Sequence, residues 1–471
     1  MEKIICDVCI IGAGSGGLSV ASGAAQMGAN VVLIEGHKMG GDCLNYGCVP
    51  SKSLIASAAR AYGMANSGPF GIAPVEPRID YGATKDHVAR AIEAIAPMDS
   101  QERFEGMGVR VIREWARFTG ERTIATDSHE ITARRIVIAT GSRPLVPPIE
   151  GLDGVDYLTN ETIFDLRERP NHLLVIGGGN VGMELAQAHR RLGCRVTIIE
   201  GSKALPKDDP DAAAVVLDRL RSEGVEIVEG HNAKRVTKGP DGIRVETGGG
   251  SYTGSHLLVA VGRSVNLDRL DLDKAGIAHD KAVTVDDRLR STTNKRVFAI
   301  GDAAGRMQFT HVASYHATVV IPQILFGKPT KARQSHIPWC TYTDPELAQV
   351  GLTEAQARER HGDKVRVVRV NYDENDRANA TGQTTGFVKV AVVGGKPVGA
   401  TIVGAEAGEL ISTWALAIAN GTRMRAISNT VLPYPTLMEI NKRAAGAYFS
   451  PILFENDKIK RAVRLVQRYL P

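Results

Sequence analysis

The chain has 471 residues, 43% of them hydrophobic and 5% aromatic, with 50 glycines and a formal net charge of +5. That length is too great for one ordinary core and predicts about three domains, while the mixing of basic and acidic residues along the chain argues against a nucleic-acid partner. No uninterrupted apolar stretch is long enough to span a bilayer, so the expectation is an α/β protein of the cytoplasm.

The opening MEKIICDVCIIGAG carries an acid inside its apolar run and leads straight into a glycine turn, which suits a first β-strand over residues 4–11 better than a signal peptide. Gly12-x-Gly14-x-x-Gly17 follows, then the small-residue helix LSVASGAAQMG and a second strand, NVVLIE, ending on Glu35. This order predicts a dinucleotide site. The first glycine permits a tight turn, the second lets backbone approach a pyrophosphate, the third lets helix pack on strand, and the acid accepts hydrogen bonds from a ribose. Cys6 and Cys9 fall within the first strand, where alternation sends them to opposite faces. With Cys194 and Cys340 they read as structural thiols.

The stretch GGDCLNYGCVPSKSLIASAARAY then sets Cys43 and Cys48 just before a helix whose first turn holds Pro50, Ser51 and Lys52. A helix N-terminus and a lysine both favour thiolate over thiol. No further Cys or His lies nearby at ligand spacing, so no metal site is expected. The first pattern recurs in HLLVIGGGNVGMELAQAHRRLGCRVTIIE, with Gly177-x-Gly179-x-x-Gly182 and a closing acid, Glu200. Two units imply two nucleotides. A carboxylate at the end of the second would repel a 2′-phosphate and favours NADH over NADPH, a preference that Lys203 nearby softens.

On these motifs the chain resembles the pyridine nucleotide-disulfide oxidoreductases over essentially its whole length. The block Gly40 to Lys52 carries the resemblance most specifically, supported by ATGSRP (139–144), VGR (261–263), FAIGDAAG (298–305) and TDPELAQVGLTE (343–354). The resemblance implies FAD and NADH as cofactors and a homodimer. It implies Cys43 as the interchange thiol that meets substrate and Cys48 as the charge-transfer thiol beside the flavin. Lys52 would stand near flavin N5 with Glu184 as its ion-pair partner, and Asp302 would hold the ribitol. A helix beginning at Thr310 would point its N-terminus at flavin O2, where reduced flavin carries negative charge. The expected cofactor-binding residues are Gly12, Gly14, Gly17, Glu35, Gly41, Lys52, Thr140, Gly141, Gly301, Asp302, Gly177, Gly179, Gly182, Glu200 and Gly262. The implied fold is α/β, with two Rossmann-like dinucleotide-binding domains and a C-terminal α+β dimerisation domain. Its layout is an FAD domain from residues 1–146 and 266–335, an NAD domain at 147–265, and a dimerisation domain at 336–471. SRPLVPPIEG and GKPTKARQSHIP read as the connectors.

The pattern breaks near the C-terminus. Lipoamide and glutathione reductases of this family carry a His-Pro-x3-Glu signature whose histidine protonates the leaving thiol; here Tyr434 stands in the histidine position, ahead of Pro435 and Glu439. A phenol with a reference pKa of about 10 is a poor base at neutral pH where imidazole titrates, which argues against ordinary lipoamide or glutathione reduction. Mercuric reductases resemble this chain in having a tyrosine there, but no cysteine follows Cys340 to deliver metal. The expected activity is an NADH-oxidising flavoprotein reductase acting through Cys43 and Cys48 on a metal ion, a small electrophile or an unusual disulfide. The alternatives are an atypical dihydrolipoyl dehydrogenase, or an electron-transfer flavoprotein or oxidase reducing a protein, a quinone or O2. Finally, DKIKRAVRLVQRYLP sets Ile459, Val463, Val466 and Leu470 on one helical stripe and Lys460, Arg464 and Arg468 on another. Such a basic helix suits its own dimer, an anionic membrane surface or an acidic partner.

Overall fold

The computed structural model describes residues 1–469, and its strands form three main sheets. The N-terminal apolar run becomes the strand Glu2–Ile11, which pairs in parallel with Val31–Ile34 on one side and His129–Ile138 on the other. A parallel strand covered on both faces reads as a continuous apolar run, and Val8, Cys9 and Ile10 are fully buried. Val297–Ala299 joins this sheet in parallel beside His129–Ile138, so residues from beyond the second glycine unit return to complete the first sheet.

The second sheet runs in the order Val225–Val228, Arg195–Ile199, His172–Ile176, His256–Val259 and Tyr157–Leu158, all parallel. A three-stranded antiparallel sheet over residues 233–254 accompanies it. The chain enters this region after Ser142–Pro144 and returns along Arg263–Val265, and these two segments pair antiparallel as one ribbon. The third sheet is antiparallel throughout, in the order Pro338–Thr341, Glu346–Gly351, Lys396–Gly404, Phe387–Val393 and Val365–Asn371. It buries Trp414 and Ile440 from two helices that follow it.

Two helix contacts position the site. Ser15–Gln26, which follows the first glycine loop, packs on Thr310–Phe326. Cys48–Ala65, the helix after the cysteine pair, packs on Asn180–Arg191, which follows the second loop, and Leu54, Ala58, Met183 and Leu185 share one buried cluster. Arg191 bridges Glu223 at 2.6 Å and Asp344 at 2.7 Å and stacks on Tyr62 at 3.9 Å, tying the second and third sheets to the cysteine helix. Among the described residues no helix is long and apolar enough to cross a membrane.

Candidate active site

The two glycine loops are built alike. A Cβ on Gly17 would lie 1.8 Å from the Gly12 carbonyl oxygen, and one on Gly182 would lie 2.1 Å from that of Gly177, so neither helix can approach its strand with any side chain there. Gly12 and Gly177 turn through positive φ, +106° and +115°, which only glycine adopts freely. Gly14 and Gly179 differ in kind. A Cβ on Gly14 would meet nothing nearer than Gly41 Cα at 3.9 Å, and one on Gly179 nothing within 4 Å. Protein packing does not require those two glycines, and the space they leave fits a pyrophosphate at a helix N-terminus.

The acids match as well. Glu35 accepts from the Ala13 and His37 amides, both at 2.7 Å, and Glu200 accepts from the Gly178 and Ser202 amides at 2.7 and 2.9 Å. Each carboxylate is pinned at the mouth of its loop with lone pairs to spare for a ribose hydroxyl.

The first loop opens into a cavity of about 1020 Å³, large enough for a cofactor of flavin-dinucleotide size. Gly12, Gly14, Glu35, Gly41, Thr140, Gly141, Gly301 and Asp302 line it, as do Cys43, Cys48, Lys52 and Glu184. Gly17 lies behind the loop. Gly177, Gly179, Gly182 and Glu200 form the second loop, and Gly262 precedes the return strand, where its carbonyl accepts from the Leu145 amide at 3.0 Å.

Cys43 sits in the one-turn helix Gly41–Asn45, and Cys48 is the first residue of Cys48–Ala65. The two thiols hydrogen-bond one another, and Cys48 Sγ lies 3.3 Å from Thr310 Oγ1 at the start of Thr310–Phe326. The bond from Cys43, aided by Thr310 and the Lys52 charge, draws the Cys48 thiol down to about 6 against the opposing effects of desolvation and Asp42. That same bond, with burial and Asp42, pushes Cys43 up. At neutral pH the pair is therefore a Cys48 thiolate held by a Cys43 thiol.

Lys52 and Glu184 meet at 2.6 Å, with Glu184 buried; its other oxygen accepts from the Tyr342 amide at 2.9 Å, and the Lys52 ammonium lies 4.4 Å from the centre of the Tyr342 ring. The cysteine helix is thereby bound to the helix of the second glycine loop. On the other side of the cavity, Ser142 Oγ donates to Asp302, Arg263 donates to Ser142 Oγ at 2.7 Å, and Arg263 meets Asp42 at 3.0 Å. Burial raises the Asp302 pKa against the pull of Ser142 and Arg263, with Asp42 adding to the rise.

The sequence profile of the pyridine nucleotide-disulphide oxidoreductases matches residues 6–317, and that of their dimerisation domain matches residues 337–445. The chain belongs to that family. It is 34% identical over 463 residues to a mercuric reductase of Streptomyces lividans, covering 95% of this chain and 97% of that one. It is equally 34% identical over 461 residues to a dihydrolipoyl dehydrogenase of Bacillus subtilis, covering 95% and 97%. Among solved structures, the HOCl-induced flavoprotein disulfide reductase RclA of Escherichia coli, in its Cu(II) complex, superposes with a TM-score of 0.84 at 27% identity, covering 93% of this chain and 99% of that one. This pyridine nucleotide-disulphide oxidoreductase is thus a flavoprotein disulfide reductase of the mercuric reductase and lipoamide dehydrogenase type, with FAD and NAD(P)H as its cofactors.

Tyr434 and Glu439 lie outside the thiol-lined cavity of their own chain. Tyr434 is 70% exposed, and its hydroxyl donates to Asp376 Oδ2 at 2.7 Å, while Glu439 is reached by the Thr436 amide at 3.5 Å. The carboxylate partner of Tyr434 is therefore Asp376. Asp376 raises the phenol's pKa, which moves Tyr434 further from acting as a base at neutral pH. Cys6 and Cys9 are both buried, as expected of structural thiols, and interaction with Cys6 together with burial pushes the Cys9 pKa up. Cys340, expected to be structural, contributes to the cavity wall beside Tyr342. Asp42, Ser142, Arg263 and Asp376 were not singled out from sequence. Asp42 occupies the variable position of G-G-x-C, and VGR pointed to Arg263 without naming its partner.

Proposed function

We propose that this enzyme oxidises NADH and passes the electrons through Cys43 and Cys48 to a soft metal ion of the Hg(II) or Cu(II) kind. The observation that carries the reading is the low-pKa Cys48 thiolate beside Cys43, in a chain whose Tyr434, hydrogen-bonded to Asp376, stands where an acid-base histidine would serve a disulfide substrate. Soft thiolates suit soft cations. The similarity to mercuric reductases and to a reductase crystallised with Cu(II) supports this choice of acceptor. On this reading residues 1–146 with 266–335 hold FAD, 147–265 hold NADH, and the region from 336 holds the partner subunit; the match to the dimerisation-domain profile supports the homodimer.

When bound, FAD supplies the hydride acceptor that nicotinamide needs and the route from it to sulfur. The chain's own groups place and poise that chemistry. Gly14 and Gly179 leave room for the pyrophosphates, and Glu35 and Glu200 face the riboses. Asp302, fixed through Ser142 and Arg263, would receive the ribitol. Lys52 is paired with Glu184, and the N-terminus of the Thr310 helix brings positive potential to the cavity. As the Cys43–Cys48 disulfide closes from the Cys43 thiol and the Cys48 thiolate, two electrons leave to reduce one Hg(II) or two Cu(II), and the single proton, that of Cys43, leaves to solvent.

Steady-state NADH oxidation with Hg(II), Cu(II), lipoamide, glutathione disulfide, a quinone and O2 tests the assignment. Metal-ion turnover should exceed lipoamide turnover by about 10²-fold or more, the range that a missing general acid-base group accounts for. Tyr434→His should narrow that gap. A parent enzyme that turns over lipoamide as fast as metal ions would overturn the reading.

A further inference from the structure

The C-terminal helix Asp457–Tyr469 buries none of its residues, nor does the short helix Ser450–Phe454 before it. At 100° per residue, Ile459, Ala462, Val463, Leu465, Val466 and Tyr469 fall in an apolar arc of roughly 160°. Lys460, Arg461, Arg464 and Arg468 fall opposite, and Lys458, on the helix's first turn, falls within the apolar arc between Leu465 and Tyr469. Val463 is 52% and Leu465 58% exposed, and Phe454 at the end of the preceding helix is 69% exposed. The arc is wider than the four-residue stripe expected from sequence, of which Leu470 lies outside the described residues.

A single amphipathic helix of this length is marginal in water unless a surface covers its apolar face. The dimerisation-domain match stops at residue 445, so the helix lies beyond the part of the chain that matches that domain. Charge chooses between the remaining covers. The helix carries Lys458, Lys460, Arg461, Arg464 and Arg468 against the one acid Asp457, a charge that a negatively charged surface complements. An anionic lipid surface takes both features at once, apolar arc toward the acyl chains and basic arc among the headgroups.

We propose that the helix Asp457–Tyr469 docks the enzyme peripherally on anionic membranes, lying in the interface without spanning it. The test is co-sedimentation of the full-length holoenzyme with vesicles of phosphatidylcholine containing phosphatidylglycerol, compared with phosphatidylcholine alone. The parent should bind the anionic vesicles and lose them in high salt. Val463→Glu with Val466→Glu, and separately Arg464→Glu with Arg468→Glu, should each weaken binding by at least about tenfold, with NADH oxidation in solution unchanged. A parent that fails to sediment with anionic vesicles at low salt overturns the proposal, as does a Val463→Glu/Val466→Glu enzyme that still binds. Sedimentation velocity supplies the remaining outcome: if that variant instead dissociates the dimer, the arc is a subunit contact and the membrane reading falls.

Discussion

The first and second glycine loops share their steric glycines, their open glycines and their doubly bonded acids, yet they differ in what lies beyond them. Past the first loop the chain places a cysteine pair, Lys52 and the Thr310 helix around one large cavity. Past the second it places Glu184, which reaches back to Lys52. A repeated local code makes two cradles of equal quality, and long-range packing decides which of them faces the sulfur chemistry.

The strongest way to break that equivalence is to fill the same steric position in each loop. A methyl at Gly17 or at Gly182 would sit about 2 Å from a backbone oxygen, so the loop must open, and an ångström of misplacement is enough to cost about 10²-fold in rate. Gly17→Ala should purify with little or no flavin. Gly182→Ala should purify yellow, with NADH-driven flavin reduction slowed by about 10²-fold or more. Flavin absorbance and stopped-flow reduction read the two outcomes separately. Flavin loss from Gly182→Ala alone would reverse the division of labour proposed for the loops.

A smaller effect sharpens what lies beyond the first loop. Cys48 titrates at about 6, below its ordinary value, so its thiolate persists above that pH and is lost as pH falls through it. In the two-electron-reduced enzyme the long-wavelength charge-transfer absorbance should disappear across the same interval. Asp42 opposes the thiolate and neutralises Arg263 at 3.0 Å. Asp42→Asn should therefore extend the absorbance to lower pH, both because a negative charge leaves and because Arg263 is freed. A midpoint that stays in place, or rises, would remove Asp42 from the account.

Both loops, the cysteine block and the acids Glu35 and Glu200 were legible in the sequence because each is a short-range pattern whose backbone geometry depends on residues a few positions apart. The α/β class followed from the same runs. The Asp42–Arg263–Ser142–Asp302 chain was not legible, since its members are brought together only when the two connecting strands pair and Val297–Ala299 joins the first sheet. Nor was the Tyr434–Asp376 bond, where the resemblance directed attention to Glu439 while the third domain folded a different carboxylate against the phenol.

The smallest expected effect separates the acids. Glu200 is held by two amides at the mouth of the second loop, where a 2′-phosphate would meet like charge and a 2′-hydroxyl would find an acceptor. NADH should therefore exceed NADPH in kcat/KM, and Glu200→Ala should narrow the ratio by roughly tenfold, the worth of one charged hydrogen bond. Glu35→Ala, the matching change in the first loop, should weaken FAD retention and leave the NADH-to-NADPH ratio where it was. Measured side by side, the two variants ask whether equal geometry carries unequal function. If Glu35→Ala shifts nicotinamide preference as much as Glu200→Ala does, the loops are not separate sites and the assignment of one nucleotide to each is wrong.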